Sequence, residues 1–218
     1  MTKQFDLIIW DWDGTLADST SVIIDAMTIA SRELGFGEIP RAKASSIIGL
    51  SLNEAIKTLL GDIGVVNTQA LVARYRDYYF LHEENIPLFA GAAETIKTLH
   101  KRGFKLAVAT GKGRRGLNLA LEHADLTKYF QATRTVNECF SKPHPQMLDE
   151  LMDYFVTTPE RTLMIGDTSY DLQMAKNAGI QALAVSYGAQ PRENLLPYHP
   201  LAIFDDFSSL SQWLFENA

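Results

Sequence analysis

The chain has 218 residues, of which 46% are hydrophobic and 21% charged, a composition typical of a globular protein with one large domain or one domain and a small insertion. The formal net charge of −6 argues against nucleic acid as the main partner, because phosphate backbones attract basic surfaces. No run approaches the roughly 20 apolar residues of a membrane span, and the first residues do not resemble a signal peptide. We therefore expect a cytoplasmic protein with no membrane partner, and the single cysteine, Cys139, fits a reducing compartment.

The first part of the chain predicts one strand followed by helices. Residues 5–10 form a short apolar run that is suited to a buried strand. Helical periodicity follows, with Asp18 or Ser19 as the expected N-cap of the first helix. No convincing strand pattern occurs between residues 16 and 86.

From residue 88 onward the pattern alternates between strands and helices. We predict strands at 104–109, 132–136, 161–166, 180–185 and 201–204, and helices at 92–102, 115–124, 144–155, 169–178 and from 207. Such alternation indicates a parallel sheet with helices on both faces. The predicted fold is therefore α/β, a Rossmann-like, doubly wound parallel sheet core (residues 1–15 and 88–218) with an inserted all-helical cap domain (16–87) that could act as a lid.

Acidic residues follow two of the predicted strands. Asp11 and Asp13 come after the first strand, and Asp167 and Asp171 come after the strand at 161–166. In open parallel sheets, ligands bind outside the carboxyl ends of the strands. In an extended backbone residues two apart share a side, and in a helix residues four apart lie near one face, so up to four carboxylates could converge.

A cluster of carboxylates is self-repulsive unless protons or a cation neutralise it. Two unit charges about 4 Å apart repel by about 4 kcal/mol at an effective dielectric near 20. Oxygen ligands with room for water suit Mg²⁺, so we predict a Mg²⁺ site. The alternative is that these acids are turn residues and a solvated helix residue. Lys142, held between Ser141 and Pro143, supplies a cation that can pair with Asp11 and with a substrate phosphate.

Three glycines, Gly111, Gly113 and Gly116, have the G-x-G-x-x-G spacing of a dinucleotide-binding loop and lie between a predicted strand and a predicted helix. Glu138 could serve as the ribose-binding acid that such a loop requires about 20 residues further on. The dinucleotide alternative, however, leaves the four aspartates and Lys142 without a role. A single phosphate at the helix N-terminus is sufficient to explain the loop.

We therefore assign the anion site to Thr110 and the backbone amide of Gly111, at the end of the strand. The basic residues that follow, Lys112, Arg114 and Arg115, are expected to form a solvated basic face; the alternative is that they add local positive potential to the site.

The segments "DWDGT", "ATG", "SKP" and "GDTSYD", in this order along an α/β chain, resemble the haloacid dehalogenase superfamily, and more narrowly its phosphoglycolate-phosphatase-like branch with a helical cap. The resemblance covers nearly the full length. Trp12 stands where many relatives have Phe. The acid at Asp13 favours phosphatase chemistry over carbon–halogen cleavage, because dehalogenases of the superfamily do not need an acid at that position.

The resemblance implies a role for each matching residue. Asp11 is expected to be the nucleophile that accepts the phosphoryl group, and Asp13 the acid that protonates the leaving oxygen and later activates water. Thr110, Gly111 and Lys142 are expected to bind the phosphoryl group, with Thr110 and Lys142 also serving in catalysis.

The resemblance also implies a Mg²⁺ site at Asp11, Asp167 and Asp171, completed by the backbone carbonyl of Asp13. The expected activity is a Mg²⁺-dependent phosphomonoester hydrolase that acts through an aspartyl phosphate on a small phosphorylated metabolite, as a monomer or weak homodimer.

Two alternatives remain: a sugar phosphomutase, and a non-catalytic phosphate-binding or regulatory protein. The cap segment Gly49–Leu50–Ser51 lacks the Arg or Lys that several relatives use to grip a second anionic group. This absence argues against bisphosphate substrates and weakens the case for phosphoglycolate itself. Arg74 and Arg76 could reach the substrate, although the segment 74–82 also fits an ordinary amphipathic helix with half-buried tyrosines.

Overall fold

A six-stranded parallel sheet forms the centre of the computed structural model, which describes residues 3–218. The strands are β1 (Leu7–Trp10), β2 (Lys105–Thr110), β3 (Ala132–Thr135), β4 (Thr162–Gly166), β5 (Gln181–Val185) and β6 (Ala202–Phe204). Their order in the sheet is β3-β2-β1-β4-β5-β6, and each neighbouring pair is parallel. The chain therefore winds outward in both directions from β1, and the order reverses between β1 and β4.

Helices cover both faces of this sheet. The helices of the chain are α1 (Thr20–Glu33), α2 (Arg41–Ser45), α3 (Leu52–Leu60), α4 (Val65–His82), α5 (Ala92–Lys101), α6 (Arg114–His123), α7 (Gln146–Phe155), α8 (Ser169–Asn177), α9 (Arg192–Leu195) and α10 (Phe207–Asn217). Short 3₁₀ turns lie at 83–85, 127–129, 159–161 and 196–198. None of the helices within residues 3–218 is both long enough and apolar enough to cross a bilayer.

The central strand is buried on both sides, which explains its continuous apolar sequence. Ile8 and Trp10 of β1 face the cluster that contains α5, α6 and α10. Leu7 and Ile9 face the opposite cluster, which contains α7 and α8. The alternation along β1 thus divides the core into two layers, and the predicted doubly wound α/β fold is confirmed.

The segment between β1 and α5 contains α1 to α4 and a hydrophobic cluster of its own. Met27 of α1, Ile56 of α3 and Leu71 of α4 are buried in this cluster, which is separate from the two layers around the sheet. Residues 16 to 86 contain helices and turns but no strand longer than an isolated bridge. We propose that residues 16–87 are a cap domain, and we refer to them as the cap.

Candidate active site

Three neighbouring strands deliver polar residues to one end of the sheet. Asp11 follows β1, Thr110 is the last residue of β2, and Asp167 follows β4. The Asp11 amide continues the ladder by donating to the Ile165 carbonyl at 2.9 Å, which holds its side chain at the strand end. This is the edge where the strand order reverses, the usual ligand position in doubly wound sheets.

Three buried carboxylates meet at this edge. Oxygens of Asp11, Asp167 and Asp171 all lie within 4.8 Å of one another, and each residue is at most 1% exposed. Asp171 is oriented by the first turn of α8, where Thr168 donates to Asp171 Oδ2 from its amide at 3.0 Å and from its hydroxyl at 2.7 Å. We call these three aspartates the acidic trio.

Asp167 is fixed by donors from two loops. The Thr15 hydroxyl donates to its Oδ1 at 2.8 Å, and the Ala189 amide donates to its Oδ2 at 2.7 Å. A Cβ on Gly14 would lie 2.2 Å from Oδ2, and one on Gly188 would lie 2.4 Å from it. Gly14 also has a φ of +83°, so the turn after β1 requires glycine for both reasons.

Lys142 is completely buried and pairs with two members of the trio. Its Nζ lies 2.9 Å from Asp11 Oδ1 and 2.6 Å from Asp171 Oδ1. Burial alone would lower the pKa of this ammonium, but Asp11 and Asp171 more than offset that effect and raise the pKa. Lys142 is therefore a permanent cation in the site.

Burial also dominates the ionisation of the acids. Loss of water raises the pKa of Asp11 to about 7, although the neighbouring Lys142 opposes the shift. Burial, reinforced by the charges of Asp11 and Asp171, raises the pKa of Asp167 well above its ordinary value. Both shifts favour the neutral acids, so one lysine is not sufficient to keep all three carboxyl groups ionised at once.

The donor set fits Mg²⁺. Carboxylate oxygens are the ligands this ion prefers, and a second cation would relieve the excess charge of the trio. Asp11 Oδ2 is buried and has no hydrogen-bond partner among residues 3–218, so an acceptor is left available at the centre of the site.

Asp13 lies beside the trio but faces a different direction. Its Oδ1 accepts from the Ser19 hydroxyl at 2.8 Å and from Lys112 Nζ at 3.4 Å, and its side chain lines the cavity described below. Ser19 is the N-cap residue of α1, one of the two residues predicted for that position, but its side chain makes no capping bond. Its hydroxyl orients Asp13 instead.

The loop after β2 is shaped by close contact with the cap. A Cβ on Gly111 would lie 2.5 Å from the backbone oxygen of Gly49, so the two main chains can approach only because residue 111 is glycine. Gly113 is the N-cap of α6, and Gly116 lies within α6, where a Cβ would be 3.2 Å from Lys112 Cε. Packing thus accounts for the three-glycine spacing.

The structure argues against dinucleotide binding, because the acid that would bind the ribose is already paired. Glu138 is engaged by Arg114, whose Nε lies 2.6 Å from its carboxylate. Arg115 is exposed, with its guanidinium 5.2 Å from the Phe80 ring. Thr110 is buried, and its hydroxyl accepts from the Lys112 amide at 3.1 Å.

Lys112 corrects the expectation of a solvated basic face. Its side chain is 8% exposed, because it turns away from the surface toward Asp13 and the cap. The composition of the segment does not indicate that Lys112 is buried. The one feature of the sequence that could have indicated it is the position of Lys112 two residues after Thr110, which places it at the carboxyl end of β2. His144, by contrast, makes a local contact and accepts from the Gln146 amide at 3.2 Å.

A cavity of about 420 Å³ lies between the cap and the end of the sheet, where Asp11 and Asp13 line it. Its walls include mostly apolar cap residues, namely Ile23, Met27, Ile47, Ile48, Leu50, Leu52, Val72, Tyr75, Tyr79 and Phe80. The loop 49–51 lines it without a cation, as the sequence indicates. Arg76 also lines the cavity, whereas Arg74 pairs with Glu33.

A doubly wound sheet with an acidic site at its switch point and a helical segment over that site defines a capped α/β enzyme. Residues 8–185 match the family model described as "Haloacid dehalogenase-like hydrolase". The chain therefore belongs to the haloacid dehalogenase-like hydrolases, and the family resemblance drawn from the sequence is confirmed.

Several proteins with similar sequences or structures are named as phosphatases or hydrolases. The chain is 33% identical to "Probable phosphatase IndB" of Dickeya dadantii over 94% of this chain and 91% of that protein. It is 27% identical to "Pyrophosphatase PpaX" of Bacillus mycoides, with 95% of each chain covered. A solved hydrolase from Pseudomonas syringae superposes with a TM-score of 0.89 at 23% identity over 100% of both chains. The expectation of a phosphatase-type enzyme of this family is confirmed.

Proposed function

We propose that the protein is a Mg²⁺-dependent phosphomonoesterase that acts through an aspartyl phosphate on a small phosphorylated metabolite. One observation carries the proposal: three buried carboxylates and a buried lysine converge, and one of them, Asp11, lines a cavity together with Asp13. A pure binding site for an anion would not concentrate negative charge in this way, since the acids repel a phosphate unless a cation is present.

Asp11 is the proposed nucleophile. An aspartate that accepts the phosphoryl group divides one difficult displacement into two easier ones. In the first step a bond forms between an Asp11 oxygen and phosphorus while the ester P–O bond breaks. The Thr110 hydroxyl and the Gly111 amide would donate to the phosphoryl oxygens, and the Lys142 ammonium would balance their charge.

Asp13 is the proposed acid and base. It would transfer a proton to the ester oxygen as that oxygen leaves, and its carboxylate would then take a proton from the water that attacks the aspartyl phosphate. The placement of its side chain on the cavity, apart from the acidic trio, supports this assignment.

Asp11 and Asp167 would hold Mg²⁺ together with the backbone carbonyl of Asp13. Asp171 would contact the ion directly or through a water molecule. The bound ion would supply positive charge opposite the phosphoryl oxygens and so offset the repulsion from the trio. Thr15 and Ala189 hold Asp167 in place for this purpose.

The substrate is proposed to be a small organic phosphate of the kind handled by phosphoglycolate-phosphatase-like enzymes. The apolar cap walls and the loop 49–51, which has no cation, favour an organic leaving group over a second phosphate. Because the similar PpaX is named a pyrophosphatase, pyrophosphate belongs in any substrate panel. We also retain a cytoplasmic location and a monomer or weak homodimer as proposals.

The test is release of phosphate from a panel of phosphomonoesters and pyrophosphate, with Mg²⁺ or with a chelator. We expect Asp11→Asn to abolish turnover, while Asp18→Asn, an exposed acid in the same segment, retains it. Mass spectrometry of the rapidly quenched wild-type enzyme should show one added phosphoryl group, which Asp11→Asn should lack.

Each alternative gives a different result. Conversion of a sugar phosphate to its isomer with no free phosphate indicates a phosphomutase. Retained Mg²⁺ binding with no turnover of any compound indicates a binding protein. Full activity of Asp11→Asn rules out the proposed mechanism.

A further inference from the structure

Lys112 forms a buried link between the proposed acid and the cap. Its Nζ lies 3.4 Å from Asp13 Oδ1, 2.5 Å from the Tyr79 hydroxyl and 3.8 Å from Glu83 Oε1. The ammonium also lies 4.2 Å from the centre of the Tyr79 ring, within the range of a cation–π contact.

The partners of this lysine come from two parts of the molecule. Asp13 belongs to the turn after β1, whereas Tyr79 lies in α4 and Glu83 in the 3₁₀ turn that follows it. Burying an ammonium is costly unless its partners compensate, so the lysine is well placed only when α4 lies against the core. The arrangement around Asp13 therefore depends on the position of the cap.

We propose that Lys112 is a positioning residue for Asp13. The Ser19 hydroxyl and the Lys112 ammonium both approach Oδ1, so in the proposed reaction Oδ2 is the oxygen that serves the leaving group. The proton on Oδ2 passes to the bridging ester oxygen as the bond from phosphorus to that oxygen breaks and the bond from phosphorus to Asp11 forms. The Asp13 carboxylate that results faces the Lys112 ammonium.

This inference rests on the proposed function, and it predicts a dependence on the leaving group. An alkoxide needs the proton from Asp13 to depart, whereas 4-nitrophenolate is stable enough to leave without it. Loss of Lys112 should therefore impair the first substrate class far more than the second. If Lys112 instead binds the phosphoryl group, both classes should suffer equally.

The experiment compares kcat/KM for glycerol 2-phosphate and 4-nitrophenyl phosphate in wild type and in four variants. Lys112→Met is expected to lose roughly 100-fold on the glycerol ester and under about tenfold on the nitrophenyl ester. Tyr79→Phe, which keeps the ring but removes the acceptor, should show the same dependence with a smaller loss. Lys112→Arg, which keeps the charge, should restore part of the activity on the glycerol ester.

Lys97→Met is the matched control, because Lys97 also pairs with a carboxylate, that of Glu94, but lies on the surface of α5. It should behave as wild type on both esters. Equal losses of Lys112→Met on both esters, or no loss on either, overturn the role of Lys112 while leaving the phosphatase intact. If wild type hydrolyses neither these two esters nor any other phosphomonoester of the panel, the proposed function fails and this inference fails with it.

Discussion

Replacing Lys142 with methionine removes the ammonium that pairs with both Asp11 and Asp171. The lysine side chain is 0% exposed, and its two partners are at most 1% exposed, so water cannot take its place without a rearrangement. Methionine has a similar length and adapts to irregular spaces, so the substitution removes charge with little change in packing. The loss of stability should therefore report mainly on electrostatics.

Removing one partner from a buried ion pair typically costs about 3–5 kcal/mol. Because Lys142 serves two carboxylates, we expect the upper part of this range in the absence of metal. For a protein of this size, each kcal/mol lowers the melting temperature by about 2–4 °C, so a loss of about 4–5 kcal/mol corresponds to a decrease of about 8–20 °C. Mg²⁺ should restore part of the loss, since a second cation relieves the same repulsion.

The assay is urea unfolding of both proteins at one pH, first with a chelator and then with Mg²⁺. Lys97→Met is again the control, because an exposed pair with Glu94 contributes at most about 1 kcal/mol. A loss below about 1 kcal/mol for Lys142→Met in the chelator would show that the trio does not depend on this lysine for charge balance. The electrostatic account of the site would then be wrong.

Three further predictions concern single residues. Gly111→Ala should lower activity at least about tenfold with little loss of core stability, because its Cβ would lie 2.5 Å from the Gly49 oxygen and would displace the cap loop. Kinetic measurements and urea unfolding on the same samples check this prediction. Thr15→Val removes the donor to Asp167 Oδ1, so the Mg²⁺ concentration for half-maximal activity should rise about 10-fold or more. Burial raises the pKa of Cys139 to about 11, so at pH 8 about one thiol in a thousand is ionised. A thiol reagent should therefore modify the native protein slowly at pH 8, faster as the pH rises toward 11, and at once after unfolding; fast reaction of the native protein at pH 8 would contradict this.

Local pattern was sufficient to predict most of the fold. The apolar runs of the strands and the periodicity of the longer helices depend on burial, which the sequence records directly. Predicted ends differ from the structure by one or two residues, as for the strand at 104–109, observed at Lys105–Thr110. Helix α9 was missed, because four residues are too few to show a helical period.

The candidate site was only partly accessible from sequence. The proximity of Asp11, Asp167 and Asp171 could be predicted because the carboxyl ends of parallel strands lie at the same end of the sheet. The surroundings of Lys112 could not be predicted, since they depend on how α4 packs against the core. The contact of Ser19 with Asp13 was missed for a related reason: a serine at an N-cap position looks the same in sequence whether or not its hydroxyl also orients an acid.

The approach of Gly49 to Gly111 has a consequence for substrate choice. Where these two glycines meet, which we call the seam, main chain faces main chain. The seam therefore offers no side chain that could distinguish the alcohol portion of one phosphate ester from that of another. Discrimination falls instead to the side chains around it, such as Leu50, Val72 and Arg76, which line the cavity without contributing to the proposed chemistry. New selectivities could therefore evolve, or be engineered, by exchanging those side chains while the seam and the carboxylates beneath it stay unchanged.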